Sequence, residues 1–215
     1  MDFIDQWILW LVLFWKFGGF LYLCYENSTD YVDFKLIAVI LRNQLIMIPF
    51  FYVGDLALVT FDFPCEGSTF NYILSLSTLS TLFVLSDLCF YMFHRMLHLP
   101  TFYHFHKIHH KYNSPFAFSS LYCSSFEMMC NGLTILIPIL IVYAANVEAQ
   151  LCLTPIHYIW IVVVALEPII SHSVALQRFL PKHIQSNHVL HHENSKIYFG
   201  SSFGLIDYLM ETNKK

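Results

Sequence analysis

The chain has 215 residues, of which 57% are hydrophobic and 12% charged, whereas an ordinary soluble domain carries about 25% charged residues. Together with a mean hydropathy of +0.56, this composition excludes an ordinary soluble domain and indicates a polytopic membrane protein. The net charge of −4 excludes the basic surface that nucleic-acid binding requires.

Three apolar runs of spanning or near-spanning length occupy the first half of the chain, at residues 7–24, 43–61 and 72–93. A helix of about 20 apolar residues crosses the hydrocarbon core of a bilayer. The first run is interrupted by Lys16, is too long for the apolar part of a signal peptide and is expected to remain as an anchor. Each run therefore predicts a membrane helix.

Two histidine-rich segments follow the third run directly. The first, HRMLH, contains His94 and His98, and the second, HKIHH, contains His106, His109 and His110. Residues three or four apart lie on one face of a helix, so each segment is expected to aim its imidazoles at one point. Pro100 separates the two segments and is expected to end one helix before the next begins.

Two further apolar runs, at 133–147 and 151–170, are separated by a few residues around Glu148 and predict a helical hairpin, although the first is short for a full span. A third histidine-rich segment, HVLHH, follows and contains His188, His191 and His192; His172 lies sixteen residues before it. Because a hairpin leaves the membrane on the side it entered, all three segments are expected on one side, in helices packed against the bilayer and outside the apolar runs.

Nine histidines at these spacings predict two metal ions, because imidazole suits iron, zinc, copper and nickel and one ion takes about four to six ligands. An isolated histidine in an apolar run, such as His157, is instead expected to be a hydrogen-bonded core residue. Lysine and arginine are absent from 1–6, 62–71 and 147–150, which the predicted topology places on one side of the membrane. Positive charge marks the cytoplasmic side, so the histidines are expected to face the cytosol.

The predicted fold is an all-α polytopic membrane bundle of about four to five spanning or hairpin helices, with a cytosolic, histidine-rich, di-metal helical cap. At this point several segments resemble the fatty acid hydroxylase superfamily, which includes sterol C4-methyl oxidases, sterol C5-desaturases, cholesterol 25-hydroxylase and sphingolipid hydroxylases. These segments are DLCFYMFHRMLH, FYHFHKIHHKYNSPFAF, EPIISHS, NHVLHHENSKIYFG and LIDYL, and the resemblance covers roughly residues 80–212. It implies an N-terminal membrane anchor at 1–71 and a catalytic domain with three histidine boxes at 72–215.

The resemblance also implies which side chains form the site. The metal ligands are His94, His98, His106, His109, His110, His172, His188, His191 and His192. Four residues are implied to orient the ligands by hydrogen bonds to their non-ligating atoms: Asp87, Glu127, Glu167 and Asn187. The chain departs from the family at residues 172–175, where HSVA replaces HSGY, and at Val189 and Leu190, where an acidic residue is often present.

The activity implied is that of a non-haem di-iron oxygenase, which uses O₂ to hydroxylate a sterol or a sphingolipid or fatty acyl lipid in lipid biosynthesis. The cofactor is two iron ions, for which zinc can substitute in recombinant material, and no catalytic side chain is expected beyond the metal ligands. The sequence has no glycine-rich dinucleotide motif, so the electrons are expected from cytochrome b5 and its reductase, or an equivalent pair. The family implies the endoplasmic reticulum membrane.

Three alternatives stay open. A lipid desaturase or a methyl oxidase would use the same site, and a catalytically inactive metal-binding scaffold would explain the departures from the family pattern. A zinc transporter is disfavoured, because transporters place their ligands near the bilayer midplane, inside the spans.

Overall fold

A computed structural model of the chain describes residues 33–61, 63, 69–150, 153–173, 187–201 and 204–214. These residues form helices and connecting segments without a β-strand, which confirms the all-α prediction. The α-helices are α1 (Phe34–Phe61), α2 (Thr69–Leu97), α3 (Tyr103–His106), α4 (Ser125–Ala149), α5 (Thr154–His172), α6 (Asn187–Glu193) and α7 (Leu205–Leu209). The apolar run at 7–24 and the departure at 174–175 lie outside the described residues.

Three of the helices contain a segment long and apolar enough to cross a membrane: Phe34–Leu58, Leu76–Leu97 and Ser125–Glu148. The apolar part of α5, Ile156–His172, is shorter. Large apolar side chains on α1, including Leu41, Leu45 and Ile48, are more than half exposed, which suits a lipid-facing surface. The described part of the chain therefore has the helices of a membrane bundle.

Two helices begin earlier than their apolar runs predicted. Helix α4 starts at Ser125 and not at 133, so the fourth run is not short: its helix has 25 residues. The hydroxyl of Ser124 caps α4 by accepting a hydrogen bond from the backbone N–H of Glu127 at 3.1 Å. Hydropathy missed this polar first turn because capping, rather than burial, starts the helix there.

Helix α1 also begins before its apolar run, because the Asp33 carboxylate caps it by accepting a hydrogen bond from the backbone N–H of Leu36 at 2.6 Å. A buried polar contact satisfies Asn43, the first residue of that run. The Asn43 amide, with 0% exposure, donates to the carbonyl oxygens of Leu121 and Cys123 at 2.8 and 3.1 Å. Arg42 donates to the Cys123 carbonyl at 2.7 Å. These hydrogen bonds attach the connecting segment before α4 to the first turns of α1.

The core of the bundle is shared by the four long helices. Leu58 of α1, Leu82 of α2, Ile139 of α4 and Trp160 of α5 belong to one buried cluster, each no more than 2% exposed. Helix α4 packs mainly against α1 and α2, and α5 packs mainly against α2 and the 3₁₀ turn Ala117–Leu121, so the predicted hairpin of α4 and α5 stays a prediction. We call the end of the bundle where α2 and α5 end the histidine end, and the opposite end the far end.

The histidine segments are not arranged as their spacing predicted. His94 lies in the last turns of α2, within the candidate span, so the prediction that this segment lies outside the apolar run is wrong for His94. The second segment does not form one helix: α3 stops at His106, and His109–Lys111 forms a separate 3₁₀ turn. The third segment does form a single short helix, α6. Pro100 lies in the turn between α2 and α3, as predicted.

Candidate metal centre

The nine predicted histidines converge in two groups at the histidine end. The five-histidine group contains His94, His98, His106, His110 and His191, and the four-histidine group contains His109, His172, His188 and His192. Within each group, one potential ligand atom per side chain lies within 4.8 Å of every other. Seven of the nine are buried, and His98 and His110 are half-buried.

Each of the last two histidine segments contributes to both groups. His106 and His110 belong to the five-histidine group, whereas His109 between them belongs to the other. Likewise His191 joins the five-histidine group, while His188 and His192 join the four-histidine group. The expectation that each segment aims at a single point is therefore wrong for these two segments, whereas His94 and His98 of the first segment do share one group. The division occurs both where the chain breaks after His106 and within the unbroken helix α6.

Backbone carbonyl oxygens orient three of the imidazoles by accepting hydrogen bonds from Nδ1–H groups. His94 donates to Phe199 at 2.8 Å, His191 to Ile197 at 2.7 Å, and His172 to Pro168 at 2.7 Å. A neutral imidazole that donates from Nδ1 keeps a lone pair on Nε2. The Nε2 lone pairs of all three histidines are thus directed at the groups.

The Nε2 atoms of neighbouring histidines lie close together and face one another. The Nε2 atoms of His94 and His106 are 3.1 Å apart, and the Nδ1 atom of His106 lies 2.9 Å from a carboxylate oxygen of Glu127. If both Nδ1 atoms carry the proton, the two Nε2 lone pairs face each other. The Nε2 atom of His188 is buried without a hydrogen-bond partner among the described residues. Such a donor set fits a bound transition-metal ion.

Burial keeps the imidazoles in the neutral form that binds metals. It lowers the pKa of His110 to about 4. Burial, with the neighbouring His110, lowers the pKa of His98 to about 3, and burial, with the neighbouring His172, lowers the pKa of His192 to about 2. At neutral pH these side chains need not release a proton before they bind a metal.

Glu127 lies behind both groups. Its carboxylate is buried in the first turn of α4, with Oε1 2.9 Å from His106 Nδ1 and 3.9 Å from His109 Nδ1. These two histidines belong to different groups, but of the two distances only the one to His106 is short enough for a hydrogen bond. A carboxylate in this position fixes the imidazole orientation and raises the basicity of the ligand atom.

Asp87 is buried in α2, but its carboxylate reaches a turn of backbone rather than an imidazole. Oδ1 accepts hydrogen bonds from the backbone N–H and the hydroxyl of Ser201, both at 2.8 Å, and Oδ2 accepts from the N–H of Ile206 at 3.2 Å. Asp87 therefore fixes the segment at 199–201, which in turn orients the imidazole of His94 through the Phe199 carbonyl oxygen.

The other two residues implied to support the ligands lie at the edge of the centre. Glu167 is half-buried in α5 and lines a cavity next to His172. Asn187 starts α6, and its amide packs closely against the backbone of Gly204.

Asp207 was not predicted as a site residue, although it is fully buried. Its carboxylate accepts hydrogen bonds from the N–H groups of Phe199 and Gly200 at 2.8 and 2.7 Å, and from the hydroxyl of Thr212 at 2.6 Å. The Phe199 carbonyl oxygen, which accepts from His94 Nδ1, belongs to the same peptide group as the Gly200 N–H. Asp207 therefore fixes the peptide group that orients the predicted ligand His94. The available signal was an acidic residue inside the apolar segment LIDYL.

A cavity of about 1180 Å³ extends from the histidines between α1, α2, α4 and α5. His94, His106, His109, His172 and His188 line its histidine end. Apolar side chains such as Phe51, Phe83 and Ile135 line its length, and Asp55 lies on its wall towards the far end. Its volume and lining suit an extended apolar molecule with few polar groups.

The family model for fatty acid hydroxylases matches residues 79–212, which include all nine histidines. The chain is 38% identical over 138 residues to methylsterol monooxygenase erg25B of Aspergillus fumigatus, covering 60% of the chain and 45% of that protein. It is 33% identical over 140 residues to C-4 methylsterol oxidase erg25 of Schizosaccharomyces pombe, covering 61% and 45%. The chain thus aligns with less than half the length of these two relatives.

A longer alignment joins the chain to very-long-chain aldehyde decarbonylase GL1-8 of Oryza sativa subsp. indica, with 28% identity over 206 residues. It covers 88% of the chain and 71% of that protein. No solved structure matches the chain significantly.

Proposed function

Because this chain belongs to the fatty acid hydroxylase family, we propose that it is a membrane-bound non-haem di-iron oxygenase that hydroxylates a lipid with O₂ and external electrons. The observation that carries the proposal is the convergence of nine neutral imidazoles into two groups at one end of an apolar cavity. The sterol relatives are named monooxygenases and oxidases, which supports an oxidative reaction on a lipid.

The five-histidine group would hold one iron ion and the four-histidine group the other, with zinc able to substitute in recombinant protein. Bound iron would supply activation of O₂ for attack on an unactivated C–H bond. Iron is proposed because of the family, since imidazole ligands alone also suit zinc, copper and nickel.

The protein's own residues would hold and orient the reactants. Carbonyl oxygens of Phe199, Ile197 and Pro168 set the direction of three imidazoles, and the Glu127 carboxylate supports His106. The apolar lining of the cavity would bind the lipid and exclude water from the site. No histidine is needed as an acid or base in this scheme.

We propose that residues 72–215 form the catalytic domain and residues 1–71 an anchor in the endoplasmic reticulum membrane. The histidine end would face the cytosol, because basic residues collect there. Three exposed lysines, Lys107, Lys111 and Lys196, lie in or near the histidine segments and would attract an acidic electron donor such as cytochrome b5. A reductase would reduce this donor again after each electron transfer.

A second outcome at the same site is oxidation of a sterol methyl group. The names of the relatives erg25B and erg25 favour it, since both describe methylsterol oxidation. Desaturation of a lipid and an inactive metal-binding scaffold are the other possibilities that the experiment must separate.

The test compares cells that express the wild type with cells that express His109→Ala combined with His191→Ala, which removes one ligand from each group. His104→Ala is the matched control, because His104 is exposed and belongs to neither group. Lipids are profiled by mass spectrometry, and the metal content of the purified proteins is measured.

A lipid that gains one oxygen with the wild type and the control, but not with the double variant, supports the hydroxylase and names its substrate. Loss of two hydrogens identifies a desaturase. Conversion of a methyl group to a carboxyl group, which adds two oxygens and removes two hydrogens, identifies a methyl oxidase. A wild-type protein without bound iron and without a lipid change would overturn the proposal in favour of the scaffold.

A further inference from the structure

A second polar cluster lies inside the bundle, away from the nine histidines. It consists of Asp55 on α1, Tyr143 on α4 and His157 on α5. The Nε2 atom of His157 lies 3.2 Å from Asp55 Oδ1, and the Tyr143 hydroxyl contacts His157 Nδ1. His157 and Tyr143 are each 1% exposed and are surrounded by the apolar core. An ionisable group at this depth in a membrane bundle is costly, so its position suggests a function.

The cluster is separated from the candidate metal centre by most of the length of the bundle. His157 and His172 are fifteen residues apart on α5, which at 1.5 Å per residue is about 22 Å. Asp55 and His172 nevertheless line the same cavity. The cavity wall between them is largely apolar, with Phe51, Ile135 and Val164 among its residues. One extended molecule can therefore touch both ends.

The hydrogen bonds of the cluster leave Asp55 with acceptor capacity. If the Tyr143 hydroxyl donates to Nδ1, then His157 donates from Nε2 to Asp55, and the neutral imidazole is satisfied on both sides. A carboxylate has about four acceptor positions, and His157 occupies one of them. The Asp55 side chain is 21% exposed and lines the cavity. A hydrogen-bond donor arriving in the cavity would offset the cost of this partly bonded carboxylate.

We propose that Asp55, held in place by His157 and Tyr143, binds the hydroxyl group of a lipid at the end opposite to the carbon that lies at the histidines. The ligand class is a lipid alcohol that spans roughly 20 Å between its hydroxyl and that carbon. A sterol and a long-chain alcohol both offer this chemistry. The inference rests on the proposed function for the identity of the reacting end, but the binding of the hydroxyl can be measured without turnover.

A lipid alcohol can be compared with its methyl ether, which keeps the shape and the oxygen acceptor but cannot donate a hydrogen bond. Purified protein in phosphatidylcholine nanodiscs is titrated with cholesterol and cholesteryl methyl ether, and separately with hexadecan-1-ol and its methyl ether. The wild type is expected to bind the alcohol of one pair about tenfold or more tightly than its ether, because hydrogen bonds to charged groups are strong. The pair that shows this preference identifies the source of the hydroxyl.

The deciding variant is Asp55→Asn, which keeps the size of the side chain but removes the charge. The preference for the alcohol should fall to less than about threefold, while metal content stays at the wild-type level. Equal affinity of the wild type for alcohol and ether in both pairs overturns the proposal, as does a preference that survives in Asp55→Asn. Should Asp55→Asn not fold, His157→Gln loosens the hold on Asp55, and an unchanged preference in that variant overturns the proposal.

Failure of this inference is distinguishable from failure of the proposed function. A preference for the alcohol without oxidation of any lipid leaves the Asp55 site standing and removes the oxygenase. Oxidation of a lipid without a preference for the alcohol supports the oxygenase and overturns the Asp55 site. The cluster would then only join α1, α4 and α5.

Discussion

Replacing Asp207 with asparagine tests whether the turn at residues 199–201 holds the imidazole of His94. The Asp207 carboxylate is fully buried and accepts three hydrogen bonds, two of them from the N–H groups of Phe199 and Gly200. Asparagine has one oxygen acceptor and presents an NH₂ donor where the second oxygen was. At least one hydrogen bond to a charged group is lost, which costs about 1.5–3 kcal/mol.

That loss should reach the metal through the Phe199 carbonyl, which accepts from His94 Nδ1 at 2.8 Å. Changes to residues that orient a ligand typically lower metal affinity by about 10–100-fold. His94 belongs to the five-histidine group, so the affinity for one of the two proposed ions should fall by this factor. The affinity for the ion in the four-histidine group should stay close to the wild-type value.

The measurement is a competition titration of metal-depleted protein with zinc and a chromophoric chelator, which resolves two binding steps. Glu211→Gln is the matched control, because Glu211 follows α7 in the same segment but is exposed and pairs only with exposed Lys214 at 3.3 Å. If both zinc-binding steps of Asp207→Asn keep their wild-type affinities, the turn at residues 199–201 does not orient His94. An equal loss at both steps would refute its local action on the five-histidine group.

The remaining predictions concern the ligand support, the helix packing and the metal. Glu127→Gln should weaken the binding step of the five-histidine group more than the other step in the same titration, because Oε1 lies 2.9 Å from His106 Nδ1 but 3.9 Å from His109 Nδ1; an equal loss at both steps would contradict this. Gly132→Ala should lower the melting temperature through about 1–3 kcal/mol of overpacking, since its Cβ would lie 2.5 Å from the Phe50 ring, and an unchanged value would show that the ring moves away. Chelation of the metal should abolish the oxidised lipid and lower the melting temperature, and readdition of iron should restore both; activity that persists without metal would contradict the proposal.

The helical bundle and the ligand set were predictable because both leave a local signal. A long apolar run identifies a membrane helix without reference to the rest of the chain. Histidine spacing identifies a metal site because buried imidazoles in apolar surroundings need partners. Helix starts were predicted less well, because α4 begins at a Ser124 cap and α1 at an Asp33 cap, and a polar cap does not extend an apolar run.

The support around the ligands was only partly predictable. Glu127 carried a family signal and lies next to two of the imidazoles. The carbonyl oxygens of Phe199, Ile197 and Pro168 carried none, because every residue has a carbonyl group and only the fold selects three of them. Asp55 appeared as a charge within an apolar run, and its contact with His157 exists only once α1 and α5 pack together.

The sequence by itself determined that this is an all-helical membrane protein of the fatty acid hydroxylase family, with nine histidines able to bind metal, because composition and spacing are local properties of the chain. Only the tertiary structure decided how those histidines divide. The segment HKIHH and the single helix α6 each place their histidines in both groups, whereas His94 and His98 share one group. Helices α2 and α6 contribute to the five-histidine group and α5 and α6 to the four-histidine group, and such long-range packing leaves no trace in the spacing of a single segment.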